Sequence, residues 1–413
     1  MDFNVREFGA VPDGVTNNTE SMQKAIDECA RRGGGRVVLS NGTYMTGSVI
    51  MRSNVELHIE SNATLLGSPR CEDYPEKQNL THVISENLPR RRNACLIFAE
   101  NEENISITGK GKIDCNGKSF VEEKTGDWTS WQYQRIDAPT PPRVVFFTGC
   151  KNVLVEDITM VNQPSGWSYW IHDCDFVNFH KCNILAEVEY PNNDGIHINS
   201  SRNVNISNCN IETGDDCIIV RANNRSLQEN KICERVTVTN CNLRSYACCI
   251  RIAWTNDGVI RNCVFSNIVM TDSNKGICMQ LPRGGDPLVR PDQGREATLI
   301  ENLSFENIVM NDMYAAPIFI YIAEDETVKC DAIRNIYFSN VHARGLLLPF
   351  IKGREGNIVE NVHFASCTFE GVTKDHPEKY LRHGEATWCR AQSGMMFQYV
   401  KNIVVNHTTF ELS

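Results

Sequence analysis

A short phrase recurs along the sequence and constrains the fold more than any other feature. In most copies an Asn precedes alternating apolar residues, and an Asn or Cys follows them. The copies occupy residues 104–107, 152–155, 203–209, 235–241 and 259–263, and later copies start at residues 302, 335, 361 and 402. Alternation with a period of two residues predicts a β-strand, and the polar residues at its ends predict turns. Each copy therefore predicts one short strand.

The spacing of the copies indicates how these strands are arranged. The clearest neighbours are 32 residues apart, from Val204 to Val236, and 24 residues apart, from Val236 to Ile260. No amphipathic helical stretch separates them, so we expect an all-β chain. Such repeats favour a single-stranded, right-handed parallel β-helix, a solenoid in which each coil stacks on the previous one. An antiparallel sandwich is the alternative, but it would not need Asn or Cys at the same place in every copy.

The sequence contains 18 cysteines, spread along its whole length. The repeat predicts that several of them stack at turns as small, buried packing residues. These are Cys182, Cys209, Cys241, Cys263 and Cys367. The first ten residues, MDFNVREFGA, have neither the basic nor the apolar region of a secretory signal. We therefore expect reduced cysteines and a cytoplasmic protein.

One helix is expected near the start of the chain. Residues 19–30 place Met22, Ala25, Ile26 and Cys29 on one apolar stripe, and the glycines at 33–35 end the helix. Because the open end of a solenoid needs a cover, this helix is expected to cap it. We therefore expect one domain over residues 1–413, with residues 1–35 as the N-terminal cap and residues 115–142 as a long loop that narrows the cleft.

Composition excludes several classes of protein. The 413 residues carry a formal net charge of −10, which argues against a nucleic-acid partner. The longest apolar stretch, residues 315–323, is nine residues long, while a membrane-spanning helix needs about 20. The sequence has no phosphate-binding Gly loop and no zinc-type Cys pairs, so neither a cofactor nor a metal is predicted. It gives no indication of oligomeric state.

Two groups of motifs carry a resemblance to a known family. Residues 5–10, 13–19, 33–39 and 42–47 resemble the opening of pectin-degrading β-helix enzymes. Asn192-Asn193-Asp194-Gly195 and Gly214-Asp215-Asp216-Cys217 resemble the two carboxylate motifs of the polygalacturonase family, glycoside hydrolase family 28. The resemblance covers nearly the whole chain. It implies the β-helix fold and a glycosidase activity.

The spacing of the aspartates fits the chemistry of glycoside hydrolysis, which needs one acid and one base. Asp194 and Asp216 are 22 residues apart, close to one short coil. If Ile196 stacks under Ile218 and Ile198 under Val220, the two carboxylates face one another across strands about 4.8 Å apart. Like charges at that distance raise one pKa. The residues alone do not assign the roles, and Gly-Asp-Asp and Asn-Asp-Gly are also common turn sequences.

The resemblance assigns the roles that the residues leave open. It implies an inverting hydrolase in which Asp215 is the general acid while Asp194 and Asp216 hold the attacking water. Two other motifs of the family are missing. In place of Gly-His-Gly, Ala247 falls over Asp215, and residues 278–280, Cys-Met-Gln, replace the carboxylate-binding Arg-Ile-Lys. Both changes remove positive charge from the expected site.

Two arginines could compensate for this loss. Arg251 is expected to point outward one coil before Cys278, and Arg221 points outward from the Asp216 strand. Our hypothesis is that one of them contacts the substrate in place of the missing motif, since guanidinium groups bind carboxylates well. The alternative is that both are salt-bridged or solvated face residues.

Further candidate substrate contacts surround the motifs. Asn192 belongs to the first motif, and His197 points outward beside Asp194. His172 and Trp170 lie one coil earlier, and Trp170 forms an aromatic cluster with Trp167 and Tyr169. Sugars stack on aromatic faces, but such clusters also pack beneath loops.

The expected function is therefore an inverting, exo-acting glycosidase for oligosaccharides related to pectin. Exo action follows from the expected cytoplasmic location, where intact polymer would not be met. A glycosidase for a neutral or modified sugar is one alternative. A polysaccharide lyase on the same fold is another, and it would need a calcium site of clustered carboxylates. A non-catalytic sugar-binding β-helix is the third.

Overall fold

The computed structural model describes residues 1–125, 131–283, 294–372 and 396–412. Over these residues the chain is a right-handed parallel β-helix, as the repeat predicted. The predicted helix is present as Thr19–Arg31. Within the described ranges, no helix has the length and hydropathy needed to cross a bilayer.

Among the described residues, the strands form two large parallel sheets and one small hairpin. The eleven-stranded sheet contains Val49–Ile50, Ile97–Glu100, Arg143–Thr148, Trp167–His172, Ile196–Asn199, Ile218–Arg221, Cys248–Ile252, Lys275–Leu281, Ile318–Ile322, Phe350–Lys352 and Met396–Gln398. The 22-stranded sheet contains Asp2–Asn4, Asp13–Asn17, Gly35–Leu39, Gly42–Thr46, Val55–Ile59, Ala63–Gly67, Glu103–Thr108, Lys112–Asp114, Lys151–Glu156, Thr159–Val161, Asp175–His180, Asn183–Leu185, Arg202–Ser207, Asn210–Thr213, Cys233–Ser245, Val259–Ser273, Thr298–Met313, Cys330–Gly345, Val359–Ala365, Thr368–Gly371, Val400–Asn406 and Thr409–Leu412. The hairpin pairs Val121–Glu123 with Tyr133–Arg135. Short 3₁₀ helices cover Val5–Phe8, Cys71–Asp73, Ser85–Asn87, Pro89–Arg91 and Gly117–Phe120.

The larger sheet continues around a bend in each coil. Arg202–Ser207 and Asn210–Thr213 both pair with the single longer strand Cys233–Ser245. Asn208 and Asn240 occupy the bend with φ of 57° and 55°, a left-handed conformation that Asn tolerates better than most residues. The side chain of Asn240 donates to Oδ1 of Asn208 at 3.3 Å. The repeated Asn therefore supplies both the bend and a bond to the next coil.

A second asparagine ladder runs along the larger sheet at another position of the coils. Asn335 donates to Asn302 Oδ1 at 2.9 Å and accepts from Asn361 Nδ2 at 3.0 Å. Asn402 continues the ladder onto Asn361 at 2.9 Å. Three of the predicted turn cysteines also stack from coil to coil. Cys182, Cys209 and Cys241 are buried in one column, next to the paired residues Asn183, Asn210 and Asn242. Cys263 lies in a different column, where it pairs with Leu303.

The core runs along the inside of the coils, and the helix packs against it beside the first strands. Met22, Ala25, Ile26 and Cys29 are fully buried there, so the predicted stripe is the packing face. Burial of a large apolar side chain contributes about 1.5–3 kcal/mol. Further along, rings from successive coils stack inside the solenoid at centroid distances of 4.8, 5.2 and 5.2 Å, in the order Phe265, Phe305, Phe338, Phe364.

One outward-facing column of the eleven-stranded sheet determines where the protein can bind a ligand. Strand pairing places eleven residues in this column: Ile50, Phe98, Phe146, Trp170, His197, Ile219, Arg251, Cys278, Phe319, Phe350 and Met396. On the N-terminal side Phe98, Phe146 and Trp170 are buried in a cluster with Val83 and Leu88. On the C-terminal side Cys278, Phe319 and Phe350 are buried in another cluster. The three central positions are the ones that line a cavity.

Candidate active site

The three aspartates converge because two neighbouring coils carry them at the same register. Asp194 precedes the strand Ile196–Asn199, and Asp215 and Asp216 precede Ile218–Arg221. The predicted register is correct, since Ile196 pairs with Ile218 and Ile198 with Val220. One oxygen from each of the three carboxylates lies within 4.8 Å of the others.

Glycines let the two turns approach one another. A Cβ on Gly195 would lie 2.3 Å from the carbonyl oxygen of Cys217, and one on Gly214 would lie 2.3 Å from that of Tyr190. Both distances are shorter than a side chain allows, so the backbone contact requires Gly at each position. Ser245 Oγ donates to the carbonyl oxygen of Asp215 at 2.6 Å and fixes the second turn.

Asp216 is held as one half of a buried ion pair. Its Oδ2 accepts from Nε of Arg251, and the two residues are 4% and 8% exposed. The Arg251 guanidinium also lies 4.7 Å from the ring centroid of Trp254 and donates to Cys248 Sγ at 3.3 Å. Oδ1 of Asp216 is buried without a hydrogen-bond partner. That oxygen is available to a bound water or sugar hydroxyl.

Asp215 is the most exposed of the three aspartates. Asn192 Nδ2 donates to its Oδ2 at 2.9 Å, and the Asp216 amide donates to its Oδ1 at 3.1 Å. Burial and the charge of Asp216 raise the pKa of Asp215 to about 7, although Arg251 and Arg90 act in the opposite direction. At neutral pH this carboxyl can therefore donate a proton.

Asp194 is 5% exposed, and its Oδ1 has no hydrogen-bond partner. Burial, followed by the charges of Asp215 and Asp216, raises the pKa of Asp194 well above its usual range. A buried oxygen without a partner costs about 1–3 kcal/mol. The two unpartnered oxygens, on Asp194 and Asp216, therefore favour a polar ligand between the coils.

His197 stands beside these carboxylates and is 3% exposed. Its ring lies 4.4 Å from the ring of Trp167, and its Nδ1 is buried without a partner. Burial, followed by the charge of Arg221, lowers the pKa of His197 well below its usual range. The imidazole is therefore neutral and can offer or accept a hydrogen bond.

These groups line one cavity of about 440 Å³. Seven of the nine residues predicted from the sequence lie on its wall: Asn192, Asp194, His197, Asp215, Asp216, Arg221 and Arg251. Arg251 pairs in register with Cys278, as predicted. Arg221 is bound to Asp257 by two hydrogen bonds, of 2.8 and 2.7 Å. Both arginines thus already hold carboxylates of the protein itself.

Trp170 and His172 do not line the cavity, which corrects the expectation that they contact substrate. Trp170 is 1% exposed and stacks on Phe146 at 4.5 Å. His172 is fully buried and lies between Thr148 Oγ1 at 3.1 Å and Ser226 Oγ at 3.2 Å. Alternation along the strand turns both side chains outward, but residues from other segments cover that part of the sheet.

The cavity also contains residues that sequence reasoning missed: Pro89, Arg90, Arg135, Ile219 and Trp254. Arg135 belongs to the hairpin strand Tyr133–Arg135, inside the long segment expected near the cleft. Its side chain donates to the carbonyl oxygen of Ser165 at 2.7 Å and to Asn192 Oδ1 at 3.3 Å. Residues 126–130 of that long segment lie outside the described residues. In the sequence, Arg135 is recognisable only as an arginine in a long insertion, and this does not distinguish a residue of the cavity wall from one on the protein surface.

Comparisons with known proteins agree with this arrangement. Residues 84–233 match the family model described as glycosyl hydrolases family 28. A probable polygalacturonase of Vitis vinifera is 28% identical over 221 residues, which cover 52% of this chain and 43% of that protein. An exo-poly-alpha-D-galacturonosidase of Dickeya chrysanthemi is 27% identical, with 52% and 41% covered. The matched part is thus less than half the length of these relatives.

Solved structures extend the likeness in fold to nearly the whole chain. An exopolygalacturonase from Thermotoga maritima superimposes with a TM-score of 0.70 at 20% identity, covering 99% of this chain and 93% of that one. PfbA, a surface adhesin of Streptococcus pneumoniae, gives a TM-score of 0.60 at 15% identity, with 100% and 91% covered. Fold alone therefore does not decide activity. The family match spans both aspartate motifs, so residues 84–233 are similar to glycosyl hydrolases family 28, while the solved structures show the fold of the chain.

Proposed function

We propose that this protein is a glycosidase that releases units from the ends of oligosaccharides related to pectin. The match of residues 84–233 to glycosyl hydrolases family 28 and the names of the relatives support hydrolysis of a glycosidic bond. The observation that carries the proposal is the convergence of three carboxylates in one cavity. Glycoside hydrolysis requires a proton donor and a base on either side of the scissile bond.

The shape of the outward column supports exo action. A polymer that passed through the site would lie along this column, across many coils. The column residues on either side, Trp170 and Cys278, are 1% and 0% exposed. The accessible length therefore covers three coils, at His197, Ile219 and Arg251, and ends in both directions. A short cavity that ends in both directions along the column favours binding of the end of a sugar chain over binding of its middle.

In the proposed mechanism Asp215 protonates the leaving oxygen. Its raised pKa keeps it protonated below about pH 7, and its exposure places it where the substrate enters. Asp194 and Asp216 hold the attacking water with their unpartnered oxygens. Asp216 accepts the water proton in this mechanism, because Arg251 holds its Oδ2 in place and its Oδ1 has no hydrogen-bond partner.

The stereochemical course is a separate part of the proposal. Inverting enzymes usually separate their carboxyl groups by about 6.5–9.5 Å and retaining enzymes by about 5–5.5 Å; here one oxygen of each carboxylate lies within 4.8 Å of the others, which by itself does not indicate the wider spacing. We nevertheless propose inversion. Asp216 is committed to Arg251, and the raised pKa of Asp194 lowers the fraction of its carboxyl group that is ionised and able to attack. Proton NMR of the first product formed would decide, since release of the same anomer as the substrate would exclude inversion.

The experiment that tests the hydrolase function is a panel of charged and neutral oligosaccharides assayed for released sugar. Wild type is expected to release monomer or dimer from chain ends, and Asp215→Asn is expected to lose about 10²–10⁴-fold in kcat, the range for general acid catalysis. Asp331→Asn, at an exposed position, is the matched control. Turnover of no member of the panel, or full activity in Asp215→Asn, would reject the hydrolase.

Two other functions make different predictions. A calcium-dependent lyase is suggested by the carboxylate cluster; it would lose activity under chelation and form an unsaturated product that absorbs in the ultraviolet. A sugar-binding protein without turnover is suggested by the adhesin of the same fold, and calorimetry would then detect binding where no product appears.

We also propose a cytoplasmic location. The described cysteines are free and, apart from Cys71, buried, while Cys389 lies outside the described residues. Reduced thiols throughout the core suit a reducing compartment. Recovery of the native protein from a secreted fraction would contradict this proposal.

A further inference from the structure

The cavity is more positive than the chain as a whole. Its wall carries four arginines, at 90, 135, 221 and 251, against the three aspartates, whereas the chain has a net charge of −10. Burial raises the pKa of both Asp194 and Asp215, so these two carry less than full negative charge near neutral pH. Asp257, behind the wall, compensates Arg221, but a wall that carries arginines beside carboxyls of reduced charge still favours an anionic ligand.

The four arginines differ in what they contact. Arg221 and Arg251 hold Asp257 and Asp216 in buried ion pairs. Arg135 is anchored to Ser165 and Asn192. Arg90 Nη1 donates to the carbonyl oxygen of Ser165 at 3.3 Å, and its guanidinium lies 5.4 Å from the ring centroid of Trp167, which also lines the cavity. Its charge lowers the pKa of both Asp194 and Asp215, which places it within electrostatic reach of the reacting groups.

The backbone of Arg90 is held in an unfavourable conformation. Its φ is 64° and its ψ is 13°, a left-handed conformation that costs a residue with a Cβ about 1–2 kcal/mol. Strain of this kind persists when the surroundings impose it, and it concentrates at functional sites. Here the surroundings are Arg143, whose two Nη atoms donate to the carbonyl oxygens of Pro89, at 2.6 Å, and of Arg92. Arg143 therefore fixes the chain on both sides of Arg90.

Arg143 is itself held in place by its surroundings. It is fully buried, and its guanidinium lies 4.0 Å from the ring centroid of Trp170 and 5.2 Å from that of Trp167. Burial, followed by the charge of Arg90, lowers the pKa of Arg143 to about 9, so it remains charged at neutral pH. Trp170 thus contacts the Arg143 guanidinium, which in turn holds the backbone on both sides of Arg90.

We propose that Arg90 binds the carboxylate of an acidic sugar, a uronic acid unit, in the cavity, and that Arg143 and Trp170 are its positioning residues. This inference rests on the proposed function for the identity of the ligand as a sugar. A planar guanidinium can bind a carboxylate through two parallel hydrogen bonds, and the adjacent Trp167 ring can contact the apolar face of the same sugar. The group that selects the acidic sugar then comes from a loop far from the aspartate motifs in sequence.

The test measures binding and does not depend on turnover. In an Asp215→Asn background, the dissociation constants of digalacturonate and of its dimethyl ester are compared by calorimetry. Arg90→Gln is expected to weaken digalacturonate binding by about 10- to 100-fold, the range for loss of a hydrogen bond to a charged group, and to leave the acid bound no more tightly than the ester. Arg90→Lys should restore part of the affinity. Arg92→Gln is the matched control, because it removes a cation of the same loop that pairs with Glu76.

Several outcomes would overturn the assignment. An unchanged dissociation constant for digalacturonate in Arg90→Gln, or an equal loss for acid and ester, would exclude carboxylate recognition by Arg90. Failure of the parent protein to bind digalacturonate would exclude it as well. If the wild type then cleaved a neutral oligosaccharide, the hydrolase function would stand while this inference failed. Conversely, binding that depends on Arg90 without turnover would reject the hydrolase and keep the inference.

The positioning role has its own readout. Trp170→Leu is expected to reduce the preference for acid over ester, although Trp170 does not line the cavity. Adding Arg90→Gln to Trp170→Leu should cause little further loss. Additive losses, or a Trp170→Leu protein that melts at a lower temperature with its preference intact, would show that Trp170 is a packing residue and nothing more.

Discussion

Replacement of Arg251 by Gln separates the electrostatic role of this residue from direct substrate binding. Arg251 and Asp216 are 8% and 4% exposed and form an ion pair inside the site. Removing one partner of a buried pair leaves the other charge without compensation and costs about 3–5 kcal/mol. We therefore expect a clear loss of thermal stability. Arg244→Gln is the matched control, because Arg244 pairs with Glu212 and Asp272 near the surface, where an ion pair contributes about 0.2–1 kcal/mol.

The kinetic consequence of Arg251→Gln follows from its two carboxylate neighbours. Asp216 loses the hydrogen bond from Arg251 Nε to its Oδ2, so the base that receives the water proton is no longer held in place and kcat should fall by about 10²-fold or more. Burial and Asp216 raise the pKa of Asp215 while Arg251 opposes them. Without Arg251, the basic limb of the kcat/KM profile should therefore move to higher pH. The assay is release of reducing sugar between pH 4 and 9, with melting temperatures measured in the same buffers. Unchanged kcat with an unshifted profile would refute this electrostatic role, and a rise in KM alone would instead support the hypothesis that Arg251 contacts the substrate.

Three further outcomes follow from the structure. Activity of the wild type should fall as pH rises through about 7, because Asp215 must be protonated to act as the acid; a rate that keeps rising to pH 9 would exclude Asp215 from that role. Because the pKa of Asp215 is raised in the folded protein, its contribution to the free energy of unfolding is complete below about pH 4 and is lost as pH rises through 7. The free energy of unfolding of Asp215→Asn, relative to wild type, should therefore rise by about 2–4 kcal/mol between pH 4 and 8. An equal pH dependence of the two melting temperatures would contradict this. Asn335→Ala removes two ladder hydrogen bonds at a residue with φ of 57° and should lower stability by about 1–3 kcal/mol without changing KM; chemical denaturation monitored by circular dichroism would detect the change.

Much of the fold could be predicted because its determinants are local. Alternation within each repeat defines which side chains point inward, and spacing by one coil brings like positions together. This is why Ile196, Ile218 and Ile250 stack in the predicted register. The asparagine ladders follow from the same repetition, since only a parallel stack places identical turn residues one above another.

The remainder could not be predicted because it depends on segments outside the repeat. The alternation correctly predicted that the Trp170 side chain points outward, but it could not show that Val83 and Leu88 cover that part of the sheet. The position of Arg90 depends on a left-handed backbone and on a guanidinium 53 residues further along, at Arg143. Loop conformations of this kind leave no periodic pattern in the sequence.

The cavity spans three successive coils, and this has a consequence for the dynamics of the bound protein. In a solenoid each coil contacts its immediate neighbours, so coils can open separately. A ligand in the cavity would contact three strands together, Ile196–Asn199, Ile218–Arg221 and Cys248–Ile252. It would therefore stabilise the two interfaces between these coils. It would suppress opening of those coils by a factor set by its concentration relative to Kd. Slower amide exchange would then be confined to the middle of the solenoid, and the terminal coils would exchange as fast as in the empty protein.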